Sequence, residues 1–550
     1  MKRVVLALAL GAAGIVLGRL LAHGGLDEWE GARARALVAF AALGWTLLVR
    51  ARRRRGQPLA ASTAHGVLGA LALCAAAAWF DFGAMPPTGG VHRHDVFHYY
   101  VGGKYHRELG YALLYRCTAI AEAEDGREAE VRARMFRDLE TLQLVPAGEA
   151  LADPSACQAR FSETRWRAFR EDVHNLRAGV PEAAWNDTQT DYGFNPTPAW
   201  SATSGMLARL VPSTDAGLHF LASLDTVLLA AGIAALFAAF GWRVAALALI
   251  LWGTQEPGKF TWLAFAMLRL DWLFLLVASL SLLRRGRPGL AGIALGWAAA
   301  MRGFPALGLV GVVLAGVASP ALRARFARER RRFTVGFVGA VAVLIALGGA
   351  VAGPASWGEW VAHIRRHAAA PSSNNLGLGV VVAFDPSHRV ERVQERFPGV
   401  PTEEWTRHWA DETRQTGQRR KLLLRLLQLA FAGLMARALV RARRPWIGLA
   451  LAILAAPVVT ELSGYYLVLF LVAAVLASAR SSLERWLLGF AAAVQVLMVM
   501  PAVAWFYDDR YLALSLAYVG AAAAIAFVLG QRSGARGLPP DAVPTSRPGR

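Results

Sequence analysis

The stretch His92-Arg93-His94-Asp95-Val96-Phe97-His98-Tyr99-Tyr100 gathers more reactive side chains than any other part of the chain. If it is helical, Asp95, His98 and Tyr99 share one face by i, i+3, i+4 spacing. A carboxylate among imidazoles and phenols suits a general base that takes a proton from a hydroxyl, such as a sugar's. The bland alternative is an exposed loop acid. Metal ligation through His92, His94, Asp95 and His98 is the weaker reading, because no fixed spacing such as His-Glu-x-x-His is present.

Other charges fall where a bilayer should exclude them. Arg302 stands in Met301-Arg302-Gly303-Phe304-Pro305, Glu256 and Lys259 flank Pro257-Gly258, and Glu461 precedes Ser463-Gly464-Tyr465-Tyr466. Asp271 falls inside an apolar block and is read as a structural partner of Arg269. Ionisable groups at membrane depth cost several kcal/mol unless paired or placed in a wet cavity, so each is a functional candidate. Snorkelling or a structural ion pair is the competing account for any one of them. Together they predict one polar cavity opening outward. Further on, Trp357 and Trp360 precede Arg365 and Arg366, the pattern of a helix lying in the interface. Either arginine could instead hold a lipid phosphate. Asn374 and Asn375 then offer amides for sugar hydroxyls.

The elements that must position these groups are membrane helices. The chain has 550 residues, 55% hydrophobic and 18% charged, with mean hydropathy +0.36. A soluble domain runs nearer one quarter charged. Net charge is +20. Only Lys2, Lys104, Lys259 and Lys421 are lysines, so 59 − 4 = 55 cations are arginines. They fall between apolar blocks, as the positive-inside rule requires, and nucleic acid is given no role. The first span, Met1 to Leu17, lacks a cleavage site and is expected to stay, its amino terminus cytoplasmic.

The expected fold is an all-α polytopic membrane protein with about 12–14 transmembrane helices and two extracytoplasmic loop regions carrying amphipathic helices. Residues 1–80 hold three spans, 81–218 the first outer loop, 219–353 six spans, 354–420 the second outer loop, and 421–530 five spans. In the second half the blocks fall at about 219–241, 244–255, 261–283, 289–303, 304–319, 333–353, 421–439, 446–461, 464–479, 486–505 and 511–530. The tail 531–550 is expected to be disordered and cytoplasmic. Within the first loop, Val131, Met135, Leu139 and Leu142 predict an amphipathic helix over 127–144. Cys117 and Cys157 could pair there or remain free thiols. No repeat, heptad, Rossmann glycine pattern or P-loop is present.

In this order the pieces resemble the GT-C superfamily of integral-membrane glycosyltransferases, and within it the polyprenyl-phosphate-mannose-dependent mannosyltransferases (glycosyltransferase family 87). Asp95 to Gly103 is similar to that family's early outer-loop Asp with paired tyrosines and a glycine. Tyr192-Gly193-Phe194-Asn195-Pro196-Thr197-Pro198 resembles its Tyr/Phe-x-Pro-Pro segment, with the prolines separated. Gly296 through Leu307 resembles its lysine-bearing helix junction, with Arg302 in place of Lys. Asn374-Asn375-Leu376 departs from its Asn-x-Ser-Leu turn by lacking the serine. Pro457 through Tyr466 departs from its Pro-x-x-x-x-His-Tyr junction by lacking the histidine. These departures bear on the donor sugar more than on the fold.

The resemblance implies transfer of a sugar, mannose first, from a polyprenyl-phosphate donor to an extracytoplasmic acceptor, in one inverting displacement with Asp95 as base. Donor phosphate candidates are Arg302, Lys259, Arg365 and Arg366. Sugar or acceptor candidates are His98, Tyr99, Tyr100, Glu256, Asn374, Asn375, Glu461 and Tyr465. No cofactor and no metal is expected, since protein cations can carry the leaving phosphate's charge. The expected partners are the lipid bilayer, the lipid-linked donor and a glycolipid, glycan or protein acceptor. The expected site is the bacterial plasma membrane, with catalysis on the outer side. The rivals are an O-antigen ligase or polymerase and a secondary transporter. The ligases carry their large outer loop later in the chain, and a transporter would show two related halves.

Overall fold

The computed structural model describes residues 28–80, 90–255, 258, 263–369, 372–399, 402–499 and 507–531. The first expected span, Glu256, Lys259 and the tail beyond 531 lie outside the described residues. Helices α1 (Glu28–Arg54) and α2 (Ala61–Trp79) lead to the large loop domain that is expected from sequence to face outward and is called the first outer domain on that expectation. That domain holds α3 (Arg93–Lys104), α4 (Leu114–Glu122), strands β1 (Met135–Arg137) and β2 (Leu144–Pro146), α5 (Glu163–Arg177), α6 (Glu182–Gln189) and α7 (Pro198–Ala202). The chain then runs through α8 (Asp215–Phe240), α9 (Trp242–Gly253), α10 (Asp271–Arg284), α11 (Pro288–Arg302), α12 (Leu307–Leu314) and α13 (Pro320–Ala352).

The second outer region contains α14 (Ser356–Ala369), β3 (Asn375–Leu376), α15 (Leu378–Ala383) and α16 (Thr402–Arg419). After it come α17 (Lys421–Arg441), α18 (Pro445–Ile453), β4 (Leu462–Ser463), a 3₁₀ helix (Gly464–Ser478), α19 (Ser482–Val499) and α20 (Tyr507–Gly530). The protein is an all-α polytopic membrane protein. The apolar blocks recur almost one for one as helices. Six of those described, including α2, α8, α13, α17 and α20, are long and apolar enough to cross a bilayer. Trp242–Gly253, Phe304–Leu314 and Gly464–Ser478 are apolar but shorter.

Without a hydrophobic drive between helices, packing in a membrane depends on close approach and internal polar satisfaction. Gly292 and Gly296 of α11, four residues apart, supply it: a Cβ at Gly296 would come 2.5 Å from the Phe337 carbonyl of α13. Gly311 and Gly448 bring α12 onto α18 in the same way. Helix α2 packs on α9, α8 on α10, and α17 on α20. Antiparallel pairing of β3 with β4, Asn375 opposite Ser463, joins the second outer region to the start of the 3₁₀ helix.

Two expectations are corrected. The helix over 127–144 does not form: a short helix Glu128–Arg132 ends at Ala133, and β1 pairs antiparallel with β2. Arg134 turns inward to an ion pair with Glu122, buried with it, and a helix would carry it outward. The Asp138 carboxylate then accepts from the N–H groups of Glu140 and Thr141, at 2.9 and 2.7 Å, and closes the hairpin. Val131 and Leu139 are buried, whereas Met135 is exposed. The block 261–283 is likewise not one continuous helix. Phe265 and Leu268 take positive φ, and α10 starts only at Asp271. The Asp225 carboxylate of α8 accepts from the N–H groups of Arg269 and Leu270, each at 2.9 Å, which satisfies the broken backbone.

Candidate active site

Helix α3 is set by its own sequence. His92 caps it by accepting from the Asp95 N–H at 3.3 Å, and Gly103 lets Trp200 approach within 2.9 Å of where a Cβ would stand. Val96, Phe97, Tyr100 and Val101 are fully buried in the outer domain's core. The remaining face carries Asp95, His98 and Tyr99 into a cavity of about 660 Å³, the expected i, i+3, i+4 triad.

Asp95 forms an ion pair with Arg269 and lies 3.4 Å from His92. Burial pushes its carboxyl up, but the Arg269 guanidinium and the surrounding histidines more than reverse this and hold it below the usual range. The Arg269 guanidinium also lies 4.2 Å from the centre of the Tyr465 ring. Arg302, at the carboxyl end of α11, is followed by Gly303 at φ 71°, which turns the chain sharply there. Its guanidinium donates to the Tyr99 hydroxyl at 2.9 Å. Burial pushes the Tyr99 phenol up to about 12, so it remains protonated and able to donate. Burial and His94 push His98 down to about 4, so its ring is neutral.

The cavity thus joins a carboxylate from the outer domain to two guanidiniums from the helical bundle. Tyr465, Tyr466, Asn195 and Trp360 complete its walls. Such a chamber can hold an anionic group against the arginines and present a hydroxyl to the carboxylate.

Of the residues expected from sequence, Asp95, His98, Tyr99, Arg302 and Tyr465 meet at this cavity. Tyr100 instead faces the outer domain, its hydroxyl donating to the Val211 carbonyl at 2.8 Å. Arg365 and Arg366 lie on α14, which offers Trp360 and Ile364 to the cavity in their place. The Asn374 carbonyl accepts from the Gly464 N–H at 2.8 Å and Asn375 belongs to β3; neither residue is among those that line the cavity. Glu461 lies over Gly379, while its neighbours Thr460 and Leu462 line the cavity.

Arg269, Asp191, Asn195 and Tyr466 also line the cavity but were not among the site residues expected from the sequence. Asp271 does not pair with Arg269: it accepts from the Ser204 hydroxyl at 2.5 Å. Cys117 and Cys157 form a disulfide with Cα atoms 5.5 Å apart.

Residues 185–388 match the model of glycosyltransferase family 87. The matched segment contains Asp191, Asn195, Arg269, Arg302 and Trp360, begins after Asp95 and ends before Tyr465. No curated protein and no solved structure matches the chain. The match supports a membrane glycosyltransferase and is consistent with the GT-C type.

Proposed function

We propose that the protein transfers a sugar, most simply mannose, from a polyprenyl-phosphate donor to an extracytoplasmic acceptor, with inversion at the anomeric carbon. The observation that carries this reading is the meeting of Asp95 with Arg269 and Arg302 in one cavity. Asp95 takes the proton from the acceptor hydroxyl as its oxygen attacks the anomeric carbon. The bond from that carbon to the phosphate oxygen breaks, and the arginines take up the charge growing on the phosphate. Protein cations do the work a metal would otherwise do at the leaving group, so phosphate departure is proposed to need none.

Arg269 has a second part in this scheme. While it pairs with Asp95 it makes the carboxylate a weak base. A donor phosphate competes for the same guanidinium and loosens that pair, which restores basicity once the donor is in place. Donor binding therefore precedes proton transfer.

The disulfide in the domain that carries Asp95 fits an oxidising compartment, which supports an outward-facing site in a bacterial plasma membrane. The acceptor is proposed to be a glycolipid, glycan or protein side chain reaching the cavity from outside.

The test is incubation of purified protein with radiolabelled polyprenyl-phosphate mannose and an envelope extract. Polyprenyl phosphate should be released and label should enter the acceptor. Neither hydrolysis nor transfer with any polyprenyl-phosphate sugar would sink the reading and favour transport.

A further inference from the structure

The i, i+4 pair His94 and His98 stands one turn apart on α3, and Asp191 approaches it from the segment after α6. Their nearest ligand atoms all lie within 4.8 Å of one another. His94 Nε2 and an Asp191 carboxylate oxygen are 3.2 Å apart. His98 Nδ1 is 2.7 Å from the His94 carbonyl, the partner that fixes Nδ1 as the N–H and leaves Nε2 with its lone pair. This is the backbone support that metal-binding histidines commonly have.

We propose that His94, His98 and Asp191 bind one divalent transition metal ion of the zinc class, with an open position toward the cavity. Two imidazoles and a carboxylate suit zinc, cobalt or nickel rather than magnesium or calcium, which take oxygen ligands. Ligand bonds of about 2.0–2.2 Å put tetrahedral ligand atoms roughly 3.3 Å apart, so side-chain movements of an ångström or so close the site. His94 and Asp191 have side chains 36% and 44% exposed, which leaves the ion a way in. His98 and Asp191 both line the cavity, so the fourth position faces it.

The Tyr115 hydroxyl stands 2.6 Å from His98 Nε2 and accepts from the Gly193 N–H at 2.9 Å. It donates to the Nε2 lone pair in the present arrangement and turns that proton elsewhere when the ion enters. The ion would cross-link α3, one residue from Asp95, to the cavity wall at 191–195. None of its ligands is a cation assigned to the donor phosphate, so the ion and that phosphate do not compete for a residue. Nor does the inference rest on sugar transfer, because metal uptake is read without substrate.

The experiment uses tag-free protein in detergent, stripped with chelator and desalted. It is titrated with Zn²⁺ by calorimetry and with Co²⁺ by visible absorption. One Zn²⁺ per chain is expected, with Co²⁺ giving the intense bands of a low-coordinate site. Asp191→Asn and His94→Gln, both at partly exposed positions, should each weaken uptake by at least about 10–100-fold. His174→Gln, at an exposed histidine of α5 outside the ligand set, should leave it unchanged. Melting temperatures of the stripped variants, compared with stripped wild type, separate lost ligands from lost fold. Absence of stoichiometric uptake by wild type, or equal affinity in Asp191→Asn and His94→Gln, overturns the site and leaves His94–Asp191 as an ion pair.

Discussion

The two outer regions look alike in sequence, each with tryptophan-bearing helical stretches and many arginines, yet they are built differently. The first is cross-linked. The Cys117–Cys157 disulfide joins α4 to the short helix Ser155–Gln158 before α5, and Glu122, Arg134 and Arg177 form an ion-pair cluster with all three residues buried. Trp185 donates to Glu122 at 2.9 Å within the same cluster. The ion pairs that join elements of the second region, such as Arg396–Glu412 and Arg420–Asp385, are partly exposed, each worth about 0–1 kcal/mol. The acids Asp95 and Asp191 and the one lining histidine, His98, come from the first region, while the second supplies Trp360 and Ile364. The candidate base thus sits on the region whose links are buried, and the region whose ion pairs are exposed supplies part of the wall.

The sharpest way to break this comparison is Asp95→Asn, which keeps shape and hydrogen bonding but removes the basic carboxylate. Sugar transfer should fall about 10²–10⁴-fold while donor binding persists. Near-normal turnover would move the base away from the first region.

Arg302→Ala removes a cation from the cavity, and a loss of about 10²–10³-fold is expected in kcat. The paired arginines of the second region serve as the contrast. Arg365→Ala and Arg366→Ala should each stay within about twofold of wild type, the size of an ordinary surface change. If the α14 variants lost as much as Arg302→Ala, the second region would have to be counted as phosphate-binding.

Stability should divide the regions too. Glu122→Gln leaves Arg134 and Arg177 without their buried carboxylate and should cost about 3–5 kcal/mol, seen as a lower melting temperature and faster tryptic cleavage of the outer domain. Asp411→Asn breaks an exposed pair, with both side chains more than 40% exposed, and should change stability by about 0.5 kcal/mol or less. Equal effects would mean that burial does not separate the two kinds of ion pair.

What the sequence revealed of the site was what local periodicity encodes. Asp95, His98 and Tyr99 are neighbours on one helix, so their common face follows from spacing alone. Arg302 was visible because a charge at the end of an apolar block needs an explanation. Arg269 was hidden, since its block reads as one continuous span. The break comes from a carboxylate on Asp225, 44 residues earlier, which no local pattern announces. Asp191 reaches α3 only through the fold, 97 residues away from His94. The lost helix at 127–144 has the same origin. Its apolar period was genuine, but an inward arginine and its glutamate on α4 outweigh helix propensity. The bundle's apolar blocks were legible for the converse reason, as each is a long local composition signal.

The 3₁₀ helix Gly464–Ser478 begins at the cavity, with Tyr465 and Tyr466 in its first turn. Such runs rarely exceed three or four residues, and this one has fifteen. At a rise of about 2.0 Å per residue it reaches roughly 30 Å, the thickness of a bilayer's hydrocarbon core. The same residues wound as an α-helix would reach only about 22 Å. The segment therefore acts as a ruler: its winding, as well as its residue count, sets how far the tyrosine pair stands from its far end at Ser478. Tightening or relaxing that winding by one turn would shift the aromatic wall against Arg269 and Arg302 without changing a residue in the cavity.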